Sequence, residues 1–572
     1  MRLWLSNQKL CNPLIIPLLL FSVILAVYYP AMLSGIHLID DPGIISLYST
    51  SPKLLHILKP GNSYYYRPLV ELSFWLDNCF WSMEPVVMHL ENILLHCVNS
   101  VLVFFIARKT INTNTINFAS LPVFGALFFA LHPVNVEAVA WIAGRTDLLL
   151  TMFVLASYYS LLCWLNKPKL LYMFIGLFFL VAAVLTKETA IAAAFAASLL
   201  IFKWPGVAKF RERVIPVVIL LSFGLLLTGF ILVFRDISGG LNKFLSWTDI
   251  HIGQVVLESL ISIGFYTSKL IVPVPLNFSI ISVHSGFALA GLVTFIILFW
   301  LLKNNLPSGL LFLSSVLILI PAVLISMMQI TWTPFAERYL YLPSALCAVG
   351  FSVLFADYLE KFKKIIILFI FIVLPCFFLV SLHRSILWNN KLAFLQDTIA
   401  KSPEFGSLYN ELGVFLLKKG EIEKANDAFL KADKLNKRSS MELLIKANII
   451  SIQYVKNNYL VVREMFFQLF NKKQDAPAVF LELLYKADGK RFNTLNDKDR
   501  YALIKDMLET LNLLNQKRPD PFWLYRSGQL CLIAGDKVMA KDFFLRSYLT
   551  APDDAYYRKA AMINLINLEH VK

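Results

Sequence analysis

Leu131-His132-Pro133-Val134-Asn135-Val136-Glu137-Ala138-Val139-Ala140-Trp141-Ile142-Ala143-Gly144-Arg145-Thr146-Asp147 stands between two long apolar runs. It sets His, Glu, Arg and Asp at the mouth of a hydrophobic hairpin. An ionisable group at mid-membrane costs roughly 2.5–3.5 kcal/mol on insertion scales, so such groups usually serve a site or line an aqueous cavity. A solvated loop would also accept them. Similar polar clusters recur at other turns between apolar runs of this chain, and that recurrence favours a site over a plain loop.

Outward from this stretch the chain is overwhelmingly apolar. Of 572 residues, 58% are hydrophobic and only 16% charged, which excludes a water-soluble globule throughout. Residues 1–389 hold 24 Lys/Arg and 16 Asp/Glu, whereas the much shorter 390–572 holds 29 and 22. The shift predicts a polytopic membrane domain over 1–389 and a water-soluble domain over 390–572. The basic excess is shared by both parts, leaving no concentrated patch for nucleic acid. Seven cysteines without a CxxC pair support neither a disulfide framework nor a zinc site.

Runs long enough to span a membrane lie at 13–36, 86–107, 117–132, 147–165, 169–185, 189–203, 214–234, 286–302, 307–328, 338–357 and 363–382. The first exceeds a signal-peptide core and reads as an uncleaved span. Residues 255–273 are ambiguous, being interrupted by Glu258 and Lys269, so about 11–12 transmembrane helices are predicted. The basic turns (Arg2/Lys9, Arg108/Lys109, Lys167/Lys169, the Lys203–Arg213 segment, Lys303 and Lys361/Lys363/Lys364) are placed in the cytoplasm. They agree if 255–273 is re-entrant or surface-lying, and the odd count then puts 390–572 outside the cytoplasm. A full span at 255–273 would put it inside. On the first topology one face collects the unusual polar residues: the loop 37–85 with His37, Asp40, Asp41, Arg67 and Glu71, the opening stretch, Thr186-Lys187-Glu188, and Glu337-Arg338-Tyr339.

Each constellation admits a functional and a plainer reading. Asp40-Asp41 can deprotonate an acceptor hydroxyl or hold a divalent cation; as a loop start or helix cap it would do neither. Lys187-Glu188 offers a cation for a phosphate, or a lysine snorkelling to the interface. Arg338 suits phosphate recognition by its planar fork, and Tyr339 a sugar pocket or an aromatic belt. Arg67 precedes an amphipathic stretch, Leu69–Trp75, and either binds a headgroup or anchors that helix. His37 and His132 lack any ligand spacing and read as structural histidines.

The soluble part carries a repeat. With Leu412 at position 7, Gly413, Ala425, Phe429 and Ala432 fall at 8, 20, 24 and 27, and Gly528, Ala540, Phe544 and Pro552 repeat the pattern at 8, 20, 24 and 32. This is tetratricopeptide (TPR) spacing, in which small and large residues interlock two antiparallel helices. Residues 439–518 keep helical periodicity without the signature. Stacked helices of this kind form an extended surface suited to binding a polypeptide.

Taken together, Leu38-Ile39-Asp40-Asp41, Tyr65-Tyr66-Arg67-Pro68-Leu69, His89-Leu90 with Asn92 and His96, and Leu131-His132-Pro133 with Glu137, Gly144-Arg145 and Asp147 resemble the transmembrane-and-TPR-repeat family of O-mannosyltransferases. Lys187-Glu188 and Glu337-Arg338-Tyr339-Leu340-Tyr341 extend the resemblance. Asp41-Pro42 and the short, partly degenerate repeat array depart from that family's pattern. The resemblance implies an all-α, GT-C-like polytopic domain followed by a TPR-like α-solenoid. It implies a polyprenyl-phosphate sugar as donor, with transfer of a mannose-like sugar to an extracytoplasmic acceptor, a polypeptide hydroxyl carried by the TPR domain. Asp40 or Asp41 would be the base. Lys187, Arg338 and Arg145 would neutralise the lipid phosphate, with Arg67, Glu137, Asp147, Glu188 and Tyr339 completing the substrate site. No cofactor is required by the resemblance, and a divalent metal is left open. The alternatives are an inert membrane-anchored TPR scaffold, or the same enzyme with a glycan or lipid acceptor. A bacterial inner membrane is the expected location, with the endoplasmic reticulum as the alternative.

Overall fold

The computed structural model describes residues 15–37, 39–49, 54, 57, 66–111, 120–203, 210–237, 252–304, 306–328, 331, 333–437 and 439–570. Leu38, Tyr65, Arg2 and Lys9 of the sequence motifs, with most of the Lys203–Arg213 turn and of the loop 50–65, lie outside the described residues. The described chain is all-helical apart from an isolated bridge between Ile280 and Phe335. It divides into two units, Met1–Ser402 and Pro403–Lys572.

Six helices of the first unit are long and apolar enough to cross a membrane, among the described residues, and the bent pair Leu121–Leu131 and Pro133–Ala140 adds a seventh. Shorter apolar helices occupy Leu170–Val184, Ala190–Ile201 and Phe287–Lys303. This is a multi-pass integral membrane protein. Helix ends follow the local sequence. Pro85 opens Pro85–Thr110, where a missing N–H costs nothing, and Arg108 and Lys109 complement the dipole at its end.

The runs 338–357 and 363–382 join in one element, Tyr341–Asn389, broken at Phe362. Phe355 and Phe369 nevertheless have ring centroids 5.5 Å apart. A straight helix would separate them by about 21 Å at ~1.5 Å per residue, so the chain folds back at Phe362, where Lys361, Lys363 and Lys364 mark a polar turn. The helix Leu121–Leu131 lies between the two legs: the Phe128 ring packs at a tilt, 5.4 Å from Phe351 on one and 5.2 Å from Phe377 on the other. Gly125 allows this approach, since a Cβ there would lie 2.2 Å from the Ser352 hydroxyl oxygen. The ambiguous segment is a 20-residue helix, Ile252–Ile271, that packs on Phe287–Lys303 through Gly264 and Gly291. A Thr267–Thr294 hydroxyl hydrogen bond of 2.9 Å secures the pair.

The second unit is a stack of helices. Gly413 faces the Phe429 ring and Gly528 the Phe544 ring; an added Cβ would meet those rings at 2.5 Å and 2.8 Å. These are the interlocks that the repeat spacing predicts. The intervening helices, Ser439–Val455 to Asp497–Lys517, share a core around Phe466, Phe480 and Leu511. An ion-pair cluster joins Arg463 to Asp488 and Asp506, and Lys473 to Asp506, at 2.6–2.8 Å.

Candidate functional site

The first unit contains a cavity of about 680 Å³, within the range of small-molecule sites. It is built by the segment after the first span, the helix Pro68–Trp81, the polar stretch 131–147, the 186–189 turn, and the segments around 278 and 338.

Asp40 and Asp41 are separated by their surroundings. Asp41 is fully buried, and its carboxylate accepts the N–H of His37 at 2.8 Å and that of Ala143 at 3.2 Å. Burial pushes its pKa up to about 7, against the pull of those N–H donors. Asp40 lines the cavity in a left-handed backbone conformation, φ +64°, and its carboxylate makes no hydrogen bond among the described residues. Burial raises its pKa, and the Arg338 charge partly offsets this. The loop that carries both is fixed from behind. His37 sits 4.8 Å from Trp388, 4.9 Å from Phe394 and 5.3 Å from Phe278 by ring centroids. Burial there lowers its pKa to about 3, so the ring stays neutral. The Trp141 indole N–H donates to the Ile39 carbonyl at 3.2 Å.

The opening stretch divides in the same way. Gly144 is needed for a close approach, because a Cβ would lie 2.2 Å from the Ala138 carbonyl oxygen. The Arg145 guanidinium is buried and fully engaged: it donates to Asp77 at 2.6 Å, Asn92 at 3.1 Å and the Met88 carbonyl at 3.2 Å, and pairs with Glu91 at 2.9 Å. It lies outside the cavity lining, so phosphate recognition by Arg145 finds no geometric support. A charge this deep is stable only because it is paired, and it clamps the helix Pro68–Trp81 to Pro85–Thr110. Glu137 is likewise behind the wall. It accepts the backbone N–H groups of Glu337 at 3.0 Å and Arg338 at 3.3 Å, and pairs with the Arg338 guanidinium at 2.5 Å. His132 donates to or accepts from neighbours only structurally, with Nε2 3.1 Å from the Leu270 carbonyl.

The remaining predicted residues do meet at the cavity. Asp147 and Lys187 pair at 2.5 Å, and Lys187 lies 5.4 Å from the Tyr339 ring centre. Arg67 grips Glu188 with contacts of 3.0–3.3 Å. Arg338 lies between Trp141, 5.2 Å away, and Tyr339, 5.1 Å away. Arg67, Asp147, Lys187, Glu188, Arg338 and Tyr339 thus line one cavity with Asp40, and each of its three cations already holds a carboxylate. Glu71, Tyr48, Phe74, Phe278, Ser279, Thr331 and Thr333 also line it. Of these only Glu71 stood among the polar residues of the 37–85 loop in the sequence; the others belong to no charged motif and carried no signal. Among the described residues no three His, Cys, Asp or Glu side chains cluster as a metal site.

No family model matches the chain. It is 34% identical over 136 residues to protein O-mannosyl-transferase TMTC1 of Mus musculus, covering 22% of this chain and 14% of the mouse protein. It is 36% identical over 137 residues to protein O-mannosyl-transferase Tmtc1 of Drosophila melanogaster, covering 24% and 15%. Protein O-mannosyl-transferase TMTC2 of Homo sapiens is 35% identical over 106 residues, 18% of this chain and 12% of its own length. The chain thus spans, in matched sequence, only about a seventh of the mouse and fly proteins. Over these matched residues the chain is similar to proteins named protein O-mannosyl-transferases.

Proposed function

We propose that the chain is a membrane glycosyltransferase of the GT-C type that moves a mannose-like sugar from a polyprenyl-phosphate carrier to a polypeptide hydroxyl. The observation that carries this reading is Asp40, a cavity-lining carboxylate without a hydrogen-bond partner among the described residues, sharing its cavity with Lys187 and Arg338. The names of the relatives supply the sugar and the class of acceptor.

In this reading Asp40 takes the proton of the acceptor hydroxyl as that oxygen bonds to the anomeric carbon. The bond from the anomeric carbon to the phosphate oxygen breaks, and its electron pair leaves with the polyprenyl phosphate. Lys187 and Arg338 stabilise the negative charge that develops there. Glu137 occupies one end of the Arg338 guanidinium, and the fork has further donors to offer. Asp41 acts through Asp40, by holding the loop. The repeat unit binds the acceptor polypeptide and, with the cavity, faces away from the cytoplasm. An endoplasmic reticulum lumen and a bacterial periplasm both satisfy this geometry.

The test is to incubate the purified full chain with polyprenyl-phosphate mannose and serine- or threonine-containing polypeptides, and to follow sugar transfer by mass. Transfer that depends on the polyprenyl-linked donor is expected. A chain that binds polypeptides but transfers sugar from no lipid-linked donor would be a scaffold.

A further inference from the structure

The cavity contains more carboxylates than its cations use. Glu188 is held by Arg67, Asp147 by Lys187, and Arg338 is held by Glu137 from behind the wall. Asp40 and Glu71 remain, and Asp40 is the base of the proposed reaction. Glu71 lies in the first turn of Pro68–Trp81, one turn beyond the capping Arg67, with its backbone N–H bonded to the Arg67 carbonyl at 3.1 Å. It lines the cavity beside Tyr48, Val70 and Phe74. Among the described residues no cation pairs with it and no donor bonds to its carboxylate. Burial raises its pKa to about 7, and no positive charge counteracts this.

A half-buried carboxylate without a partner is costly unless a ligand completes it. Glu137 and Asp147, which the resemblance implies for the substrate site, are each committed to a cation. We propose that Glu71 is the sugar-reading residue of this cavity, accepting hydrogen bonds from two adjacent hydroxyls of the transferred hexose. Two oxygens on one planar carboxylate match two neighbouring hydroxyls. The inference rests on the glycosyltransferase reading, because it needs a sugar in this cavity.

The experiment uses the full chain with polyprenyl-phosphate mannose and its 2-deoxy, 3-deoxy, 4-deoxy and 6-deoxy counterparts. For the native chain, removing either hydroxyl read by Glu71 lowers kcat/KM by on the order of tenfold to a hundredfold, the range for a hydrogen bond to a charged group. The other deoxy donors lose much less. In Glu71→Gln that discrimination shrinks for the same two positions, while a merely structural role would lower all donors alike. Equal use of every deoxy donor by the native chain overturns the proposal without recourse to a variant. So does a Glu71→Gln chain that keeps the full discrimination. Absence of transfer from the parent donor overturns the glycosyltransferase reading itself, a separate outcome.

Discussion

The Asp41 carboxylate accepts the backbone N–H of Ala143 at 3.2 Å, which ties the loop after the first span to the turn inside the polar stretch 131–147. Two adjacent aspartates therefore do different work: Asp41 holds the backbone, and Asp40 is left facing the cavity. Asp41→Ala strands two N–H groups, at about 1–3 kcal/mol for each buried donor left unsatisfied. Asp40→Asn, which keeps a residue type tolerant of the left-handed backbone at that position, changes stability by only about 0.5 kcal/mol. Thermal unfolding in one detergent should show a clear drop for Asp41→Ala alone. Equal melting of the two variants contradicts this division.

Acid should switch the proposed reaction off through Asp40. The base works only as a carboxylate; burial raises its pKa above the usual range and Arg338 holds it down. Arg338→Gln removes the lowering charge, so the pKa rises further and the acid limb of kcat/KM moves to higher pH. An unmoved limb, or one displaced to lower pH, disconnects Arg338 from the base.

Arg145 should behave as a structural charge. Removing it strands Asp77, whose side chain is 3% exposed, and breaking a buried pair costs about 3–5 kcal/mol. Arg145→Met is expected to unfold at a markedly lower temperature. The fraction that remains folded should bind a polyprenyl-phosphate analogue as tightly as the native chain. Lost binding at unchanged stability would return Arg145 to the substrate site.

Much of this was legible in the sequence, and the limits have physical causes. Apolar run length located the long apolar helices, of which six, or seven with the bent pair, reach membrane-spanning length among the described residues, fewer than the 11–12 spans expected; it also located the two legs of Tyr341–Asn389, because the Lys361–Lys364 turn is polar whatever the backbone does. Gly413 and Gly528 gave the repeats because only glycine clears a phenylalanine ring at that distance. What stayed hidden was which ionisable group spends its charge on the protein itself. Arg145 and Lys187 look alike in sequence, yet one is enclosed by Asp77, Glu91 and Asn92 and the other reaches the cavity. Those partners lie about 40 to 70 residues away along the chain, and no local spacing encodes them. Phe278 and Ser279 were invisible for the same reason, being brought to the cavity by a connecting segment with no motif.

The repeat unit has its own sensitive points. Gly413→Ala or Gly528→Ala forces a Cβ against the Phe429 or Phe544 ring, and overpacking of this kind costs about 1–3 kcal/mol. Hydrogen exchange on the full chain should rise in Gly406–Lys418 and Ile422–Leu435 for the first variant, and in Pro521–Ile533 and Lys537–Thr550 for the second. Exchange unchanged in those helices would refute the interlock.

The proposed orientation also has a direct readout. A phosphatase reporter fused after Lys401 should be active only if that point leaves the cytoplasm, which the proposed topology requires. A cytoplasmic reporter signal at the same junction would place the repeat unit on the other side.

The most direct measurement is single-turnover transfer from polyprenyl-phosphate mannose by the native chain and by Asp40→Asn, with donor binding and melting temperature recorded on the same preparations. Removing a general base is expected to slow the step by about 10²–10⁴-fold, with donor affinity and melting temperature unchanged. Transfer at the native rate by Asp40→Asn would contradict the account at its centre.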